Sequence, residues 1–257
     1  MNKDNIMEVK GLHKRFTSKG VTVKAVSDVS FSVKPGETIG IVGESGCGKT
    51  TLGRCIVRAY NASEGEVFYR TKGGEELDFL KADKKKMKET RKEIQMIFQD
   101  PYSSLDPRMT VLDIIKEPLK ANFPKMPKDE MDQRAKAMAE KVGLNPMYLM
   151  RYPHAFSGGQ RQRIGIARAL VIEPQIIVCD EAVSALDVSI QAQVINLLRD
   201  LQRELKLTYL FISHDLSVVE HISDKVGVMY LGRMVEFAPA ELMFEKPMHP
   251  YTEALLS

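Results

Sequence analysis

The sequence has no apolar run approaching the about 18–20 residues that a membrane-spanning helix needs, so no spanning segment is expected. Its first residues, MNKDNIMEVKG, lack the apolar core of a signal peptide, and the chain is expected to stay in the cytoplasm. Cysteine is scarce. Cys47, Cys55 and Cys179 form no CxxC pair and have no histidine cluster beside them, which argues against a zinc site or a disulfide framework. An excess of one charge is also missing: a formal net charge of +3 is too small to indicate a nucleic-acid surface, so no nucleic-acid partner is expected. The lysine-rich stretch KADKKKMKETRKE (81–93) has acids interleaved and reads as a solvated helix face. Internal repeats and low-complexity segments are absent.

What remains is a chain of 257 residues, 44% hydrophobic and 28% charged, enough for one large α/β domain or two small ones. Short apolar runs organise it: TIGIVG (38–43), EIQMIFQ (93–99), QIIVCDE (175–181) and TYLFISH (208–214). Such continuous runs read as strands buried on both faces, the pattern of a parallel sheet covered by helices. Ligands of such sheets bind at the carboxyl ends of the strands. Here those ends carry Gly43, Gln99, Asp180 with Glu181, and His214. Alternating segments in the first forty residues, resumed by EGEVFYR (64–70), predict an antiparallel flanking sheet. Between about Met109 and Tyr152 the pattern turns helical, an insertion between the second and third core strands. KVGVMYLGRMVEFA reads as two strands around a turn at Gly232.

Gly43-Glu44-Ser45-Gly46-Cys47-Gly48-Lys49-Thr50 matches G-x-x-x-x-G-K-[ST] between a predicted strand and the predicted helix TLGRCIVRAY, which opens with Thr51. The glycines let successive N–H groups turn inward and cradle phosphate oxygens, and the helix adds its positive end. Lys49 supplies a point charge to the β- and γ-phosphates of a nucleotide, and the Thr50 hydroxyl suits a Mg²⁺ ligand. This motif alone leaves kinases, GTPases and many ATPases open. QIIVCDE is a companion strand: Asp180 suits Mg²⁺, and Glu181 suits orienting or deprotonating an attacking water. His214 shares their sheet edge and could bond a γ-phosphate; His13, His154, His221 and His249 read as structural.

Upstream of that strand stands Phe156-Ser157-Gly158-Gly159-Gln160-Arg161-Gln162-Arg163, followed by the helical IGIARAL. With this segment the chain resembles the ATP-binding-cassette (ABC) family over nearly its whole length. The resemblance implies an α/β fold: a P-loop NTPase core with a mostly parallel sheet, an N-terminal antiparallel β subdomain and an inserted α-helical subdomain at about 103–163, all within one domain, 1–257. It also implies a set of site residues. Phe16 takes the place of the adenine-stacking aromatic. The loop Gly43 to Thr50, with Thr51, binds ATP. Gln99 is the Q-loop glutamine, joining Thr50 and Asp180 at Mg²⁺, and Glu181, Gln99 and His214 are catalytic. Ser184-Ala185-Leu186-Asp187 is the D-loop. Ser157, Gly158, Gly159 and Gln160 form the signature, acting in trans. That last role has a physical counterpart, because serine, glycines and a helix start make a second anion cradle, while the chain has one P-loop lysine. Two chains pairing head to tail would complete each other's sites.

Long flanking stretches, QDPYSSLDPRMTV, RYPHAFSGGQRQRIGIARAL, DEAVSALDVSIQAQVINLL and HPYTEALLS, resemble the oligopeptide/dipeptide/nickel importer branch. The resemblance implies a peripheral ATPase on the cytoplasmic face of the membrane, working with integral-membrane permease subunits and a second ATPase, identical or homologous. The stretches do not separate peptides from nickel or another small solute, and a non-transport ABC ATPase is the remaining alternative. Many members of the branch continue past the HPYT segment, some with cluster-binding cysteines; this chain stops at Ser257, and no iron–sulfur cluster is predicted from it. Finally, the polar, turn-rich segment after Gln99 is expected to connect the site to transport, with Tyr102–Leu112 forming part of a cleft for a permease helix.

Overall fold

A computed structural model describes residues 1–100 and 103–257, so Tyr102 lies outside the described residues. The chain begins with a hairpin of β1 (Met7–Ser18) and β2 (Val21–Val33). Lys19 and Gly20 between them take φ of 48° and 79°, as a two-residue turn matched to the strand twist requires. β3 (Thr38–Val42) runs into the glycine loop and α1 (Lys49–Ile56). β4 (Glu64–Arg70) and the short β5 (Glu76–Asp78) return beside the hairpin, completing an antiparallel sheet ordered β2-β1-β4-β5. The expected flanking sheet is present.

α2 (Lys84–Glu93) is capped by Asp83, whose carboxylate accepts from the Lys86 amide at 2.8 Å, and Thr90 is its one buried residue. The lysine-rich stretch is therefore a solvated helix face. After β6 (Ile94–Ile97) come α3 (Val111–Asn122), α4 (Lys128–Lys141), single 3₁₀ turns at Pro146–Tyr148 and Pro153–Ala155, and α5 (Gly158–Leu170). These helices lie before β7 (Ile176–Asp180), between two strands that pair directly. The chain ends through α6 (Val188–Leu205), β8 (Thr208–Ile212), α7 (Leu216–Ile222), β9 (Lys225–Tyr230), β10 (Arg233–Pro239), α8 (Ala240–Glu245) and α9 (Pro250–Leu256). The second sheet has the order β10-β9-β3-β8-β7-β6, and only β10 runs antiparallel to its neighbour.

Every residue of β3, β7 and β8 is buried, as continuous apolar strands between two layers must be. The two-residue alternation of strands divides them between two cores. Ile39, Ile41, Ile176, Val178, Leu210 and Ile212 pack with α1 and the antiparallel sheet. Val42, Ile177, Cys179, Tyr209 and Phe211 pack with α3 to α8. By this alternation Asp180, at the end of β7, follows Ile176 and Val178 toward α1. That register decides where its carboxylate goes.

One expectation is corrected. Leu105 and Leu112, in the segment assigned to a docking surface, are buried at 3% and 6% exposure in the core around α3 and α5. The segment is polar, but its few apolar side chains gain by turning inward, about 25 cal/mol per Å² of surface removed from water. Among the described residues of the segment, Ser103, Pro107 and Arg108 are exposed.

Candidate active site

The glycine loop leaves β3 at Gly43, with φ of 143°, and enters α1 from Gly48, with φ of 111°. Both glycines are required by space as well as by φ. A Cβ on Gly43 would lie 2.2 Å from the Met229 carbonyl oxygen, and one on Gly48 2.1 Å from that of Ala25. No side chain fits such approaches. The loop thus nests between β9 and β2, and the Gly232 amide bonds back to the Cys47 carbonyl at 2.9 Å.

Beside it opens a cavity of about 730 Å³, lined by Ser45 to Thr51, Gln99, Glu181 and His214. Gly43 and Glu44 contribute from behind, their carbonyl oxygens accepting from the Lys49 ammonium at 2.6 and 2.8 Å. Lys49 is itself buried, at 4% exposure, so its charge has little water to compensate it. Burial raises the pKa of the Cys47 thiol above its ordinary value, leaving a neutral thiol in the loop wall.

Asp180, 1% exposed, lies beneath this cavity. As the strand register dictates, it faces α1, and its Oδ1 accepts from the Thr50 hydroxyl at 2.7 Å. Its Oδ2 is buried with no hydrogen-bond partner among the described residues. Burial raises the pKa of this carboxyl, against the opposing Thr50 bond.

Glu181 follows with φ of 48°, a left-handed backbone that costs a non-glycine residue about 1–2 kcal/mol. The turn is pinned by its amide, which donates to the Ile212 carbonyl at 2.9 Å, and by Ser184, whose hydroxyl donates to the Glu181 carbonyl at 3.0 Å. The result turns the side chain away from Asp180 and into the cavity. There Gln99 Nε2 donates to Glu181 Oε2 at 2.8 Å, and His214 Nδ1 lies 3.2 Å from the same oxygen. The ends of three parallel strands, β6, β7 and β8, thus converge on one carboxylate oxygen.

Other expected residues stand apart. Ser157 caps α5 in a reciprocal box, its hydroxyl accepting from the Gln160 amide at 3.3 Å and its amide donating to Gln160 Oε1 at 3.0 Å. Gly159 is needed where α5 approaches α6, since a Cβ there would meet Ile190 Cγ2 at 2.5 Å. None of Ser157, Gly158, Gly159 and Gln160 lines the cavity of its own chain. Asp187 caps α6, accepting from the Ile190 amide at 3.0 Å, and this bond lowers its pKa. Phe16 is not in the cavity wall either; its ring packs edge-on against Tyr60, with Lys14 over its face. Its hairpin partner Val23 does line the cavity, with Lys24 and Ala25, and so do Leu231 and Gly232 from the β9–β10 turn. Sequence reasoning missed these. The turn at Gly232 was the one available signal, and it spoke of hairpin geometry and not of the site.

Comparison with known proteins follows the same lines. Residues 26–184 match the family model described as ABC transporter. The chain is 56% identical over 254 residues to the oligopeptide transport ATP-binding protein OppF of Bacillus subtilis (strain 168), covering 99% of this chain and 82% of that protein. To the protein of the same name from Escherichia coli (strain K12) it is 54% identical over 250 residues, covering 97% and 73%. Among solved structures it superposes with a TM-score of 0.80 and 27% identity on the dimeric post-hydrolysis state of the ATP-binding cassette MJ0796 bound to ADP and Pi, covering 91% of this chain and 98% of that one.

Proposed function

The chain belongs to the ABC transporter family and is an ATPase of that family; from that premise we propose that its ATP hydrolysis powers the import of oligopeptides through separate membrane-spanning subunits. The names of its most similar relatives support the cargo. By the same reading the motor would sit peripherally on the cytoplasmic face of the membrane; among the described residues no helix is long and apolar enough to cross it. The whole chain, 1–257, is read as one domain, with residues 103–163 as its helical subdomain.

In this reading ATP lies along the glycine loop. Its phosphates take the loop amides and the N-terminus of α1, and Lys49 exchanges its bonds to the Gly43 and Glu44 carbonyls for phosphate oxygens. Mg²⁺ fits beside them. A buried carboxylate oxygen without a partner, Asp180 Oδ2, stands next to the Thr50 hydroxyl, and hard oxygen donors of this kind suit that ion, with Gln99 nearby at the rim. When bound, Mg²⁺ would supply positive charge against the phosphate oxygens. Glu181 is the water-positioning base. Gln99 and His214 hold its Oε2 and so orient the carboxylate, while the His214 ring, half exposed at 54%, can reach a γ-phosphate. Val23 replaces Phe16 as the closer candidate for the adenine, being the residue of that hairpin in the cavity wall.

The signature residues would act on the nucleotide of a second ATPase subunit, with Asp187 at the same junction. That they do not line their own cavity supports this, as does the dimeric state of the cassette neighbours. Communication with the permease would pass through Gln99. That residue also borders a second cleft of about 470 Å³, with Phe98, Ser103, Ser104, Glu117 and Arg168, a place for a permease helix.

The observation that carries this reading is the convergence of Gln99, Glu181 and His214 beside the glycine loop. Glu181→Gln should leave ATP affinity within about twofold while lowering turnover by roughly 100- to 10,000-fold, the usual contribution of a positioned base. Lys49→Ala should weaken binding itself. Steady-state ATPase rates and nucleotide titrations separate the two, and wild-type turnover in Glu181→Gln would remove Glu181 from the mechanism.

A further inference from the structure

The segment His249-Pro250-Tyr251-Thr252 stands out in the sequence, and the chemistry above makes no use of it. It opens α9. Pro250 takes the first helical position, where its missing N–H is not needed, and the His249 ring caps the helix, Nδ1 accepting from the Tyr251 amide at 3.1 Å. The preceding residues are clamped to β10, because the Glu236 carboxylate accepts from the Met248 and His249 amides at 2.8 and 3.0 Å.

The clamp aims one side chain. The Tyr251 ring lies against Tyr230 at the end of β9, with centroids 4.3 Å apart. Its hydroxyl oxygen accepts the Glu44 N–H at 3.2 Å. Glu44 belongs to the glycine loop, and its carbonyl oxygen accepts from Lys49 Nζ at 2.8 Å and from the Cys47 amide at 3.2 Å. The residue is thus held on its amide from outside the loop and on its carbonyl from inside. Gly43 and Gly46, with φ of 143° and 81°, flank this stretch and give it little conformational preference of its own. A bond from outside therefore has freedom to remove.

We propose that Tyr251 is a positioning residue for nucleotide binding: through the Glu44 peptide it holds the phosphate-binding loop in its receptive shape before the phosphates arrive. This rests on the reading of the loop as the ATP site. Tyr251 touches no nucleotide, since it lies behind the loop and outside the cavity wall. Its effect is on the fraction of molecules with a competent loop, and apparent affinity scales with that fraction. Losing one neutral hydrogen bond should weaken binding by about 2- to 12-fold. Turnover at saturating ATP should hold, because Gln99, Glu181 and His214 are untouched.

The test uses the full chain as wild type, Tyr251→Phe and Tyr230→Phe, measuring the ADP dissociation constant by calorimetry, the KM and kcat of ATPase activity, and the melting temperature. Tyr251→Phe keeps the ring against Tyr230 and removes only the hydroxyl; Tyr230→Phe removes a hydroxyl that makes no bond to the loop. The expected result is a rise of about 2- to 12-fold in both Kd and KM for Tyr251→Phe, with kcat within about twofold and Tyr230→Phe unchanged. Tyr251→Leu, which loses the ring too, should raise Kd at least as far. Wild-type Kd in Tyr251→Phe, or a lowered melting temperature with Kd unchanged, overturns the proposal and leaves Tyr251 a packing residue. Failure of the wild type itself to bind ADP would overturn the nucleotide-site reading beneath it.

Discussion

Asp180 shows how the site and the fold compete for one residue. Its Oδ2 is buried without a hydrogen-bond partner, and its Oδ1 is satisfied by Thr50. An ionised carboxylate in that position costs stability in the nucleotide-free protein, because burial disfavours the charged form. Asn keeps the shape and the Oδ1 acceptor but removes the charge. Asp180→Asn should therefore melt no lower than wild type without nucleotide, and higher by a few degrees if the relief exceeds about 1 kcal/mol. Its ATPase activity should collapse, and Mg²⁺ should no longer raise its melting temperature in the presence of ATP. Thermal scans with and without Mg²⁺-ATP check both halves; an unstable Asp180→Asn that still responds to Mg²⁺ would assign the carboxylate to structure. Glu181 carries the complementary cost in its backbone, where the left-handed φ of 48° is what separates two adjacent acids into different environments.

At the scale of elements, α5 combines packing with a proposed role in the partner's site, and the two can be separated. Ser157 and Gln160 cap the helix reciprocally, and loss of such a cap costs about 1 kcal/mol. Thr110 caps α3 with its hydroxyl, accepting from the Asp113 amide at 3.2 Å, and has no part in the proposed nucleotide site. Ser157→Ala and Thr110→Ala should thus lower the melting temperature by similar amounts, about 2–4 °C. Only Ser157→Ala should also lose most of its ATPase activity. Equal activities would make Ser157 a cap and nothing more. The elements themselves were legible to different degrees. The core strands could be read because their β-branched runs are buried on both faces, and Gln99, Asp180, Glu181 and His214 were found at their ends. For the same reason the division of each strand between two cores could not be read, since Ile177 and Val178 look alike in sequence and face opposite layers. β5 is three residues long and carries no period to detect. Leu105 was misplaced because a polar, turn-rich segment hid its inward leucines, and Val23 was missed because spacing says nothing of which residue on a hairpin turns toward the cavity.

Across the whole molecule, the six-stranded sheet separates two cores and gathers the functional groups on one edge. The glycine loop and α1 lie on one side, and the helices between β6 and β7 lie on the other. Gln99 is where they meet, bonded to Glu181 in the site and bordering the second cleft. This layout is what a coupled motor needs, because a change at the phosphate has a short route to a surface outside the site. The most direct test of the account is uptake by the assembled transporter: the chain isolated with its membrane partners, reconstituted in vesicles, and assayed with labelled oligopeptide. The account predicts ATP-dependent accumulation that disappears with Lys49→Ala and with Glu181→Gln. ATP hydrolysis by the wild-type assembly with no peptide accumulation would contradict it.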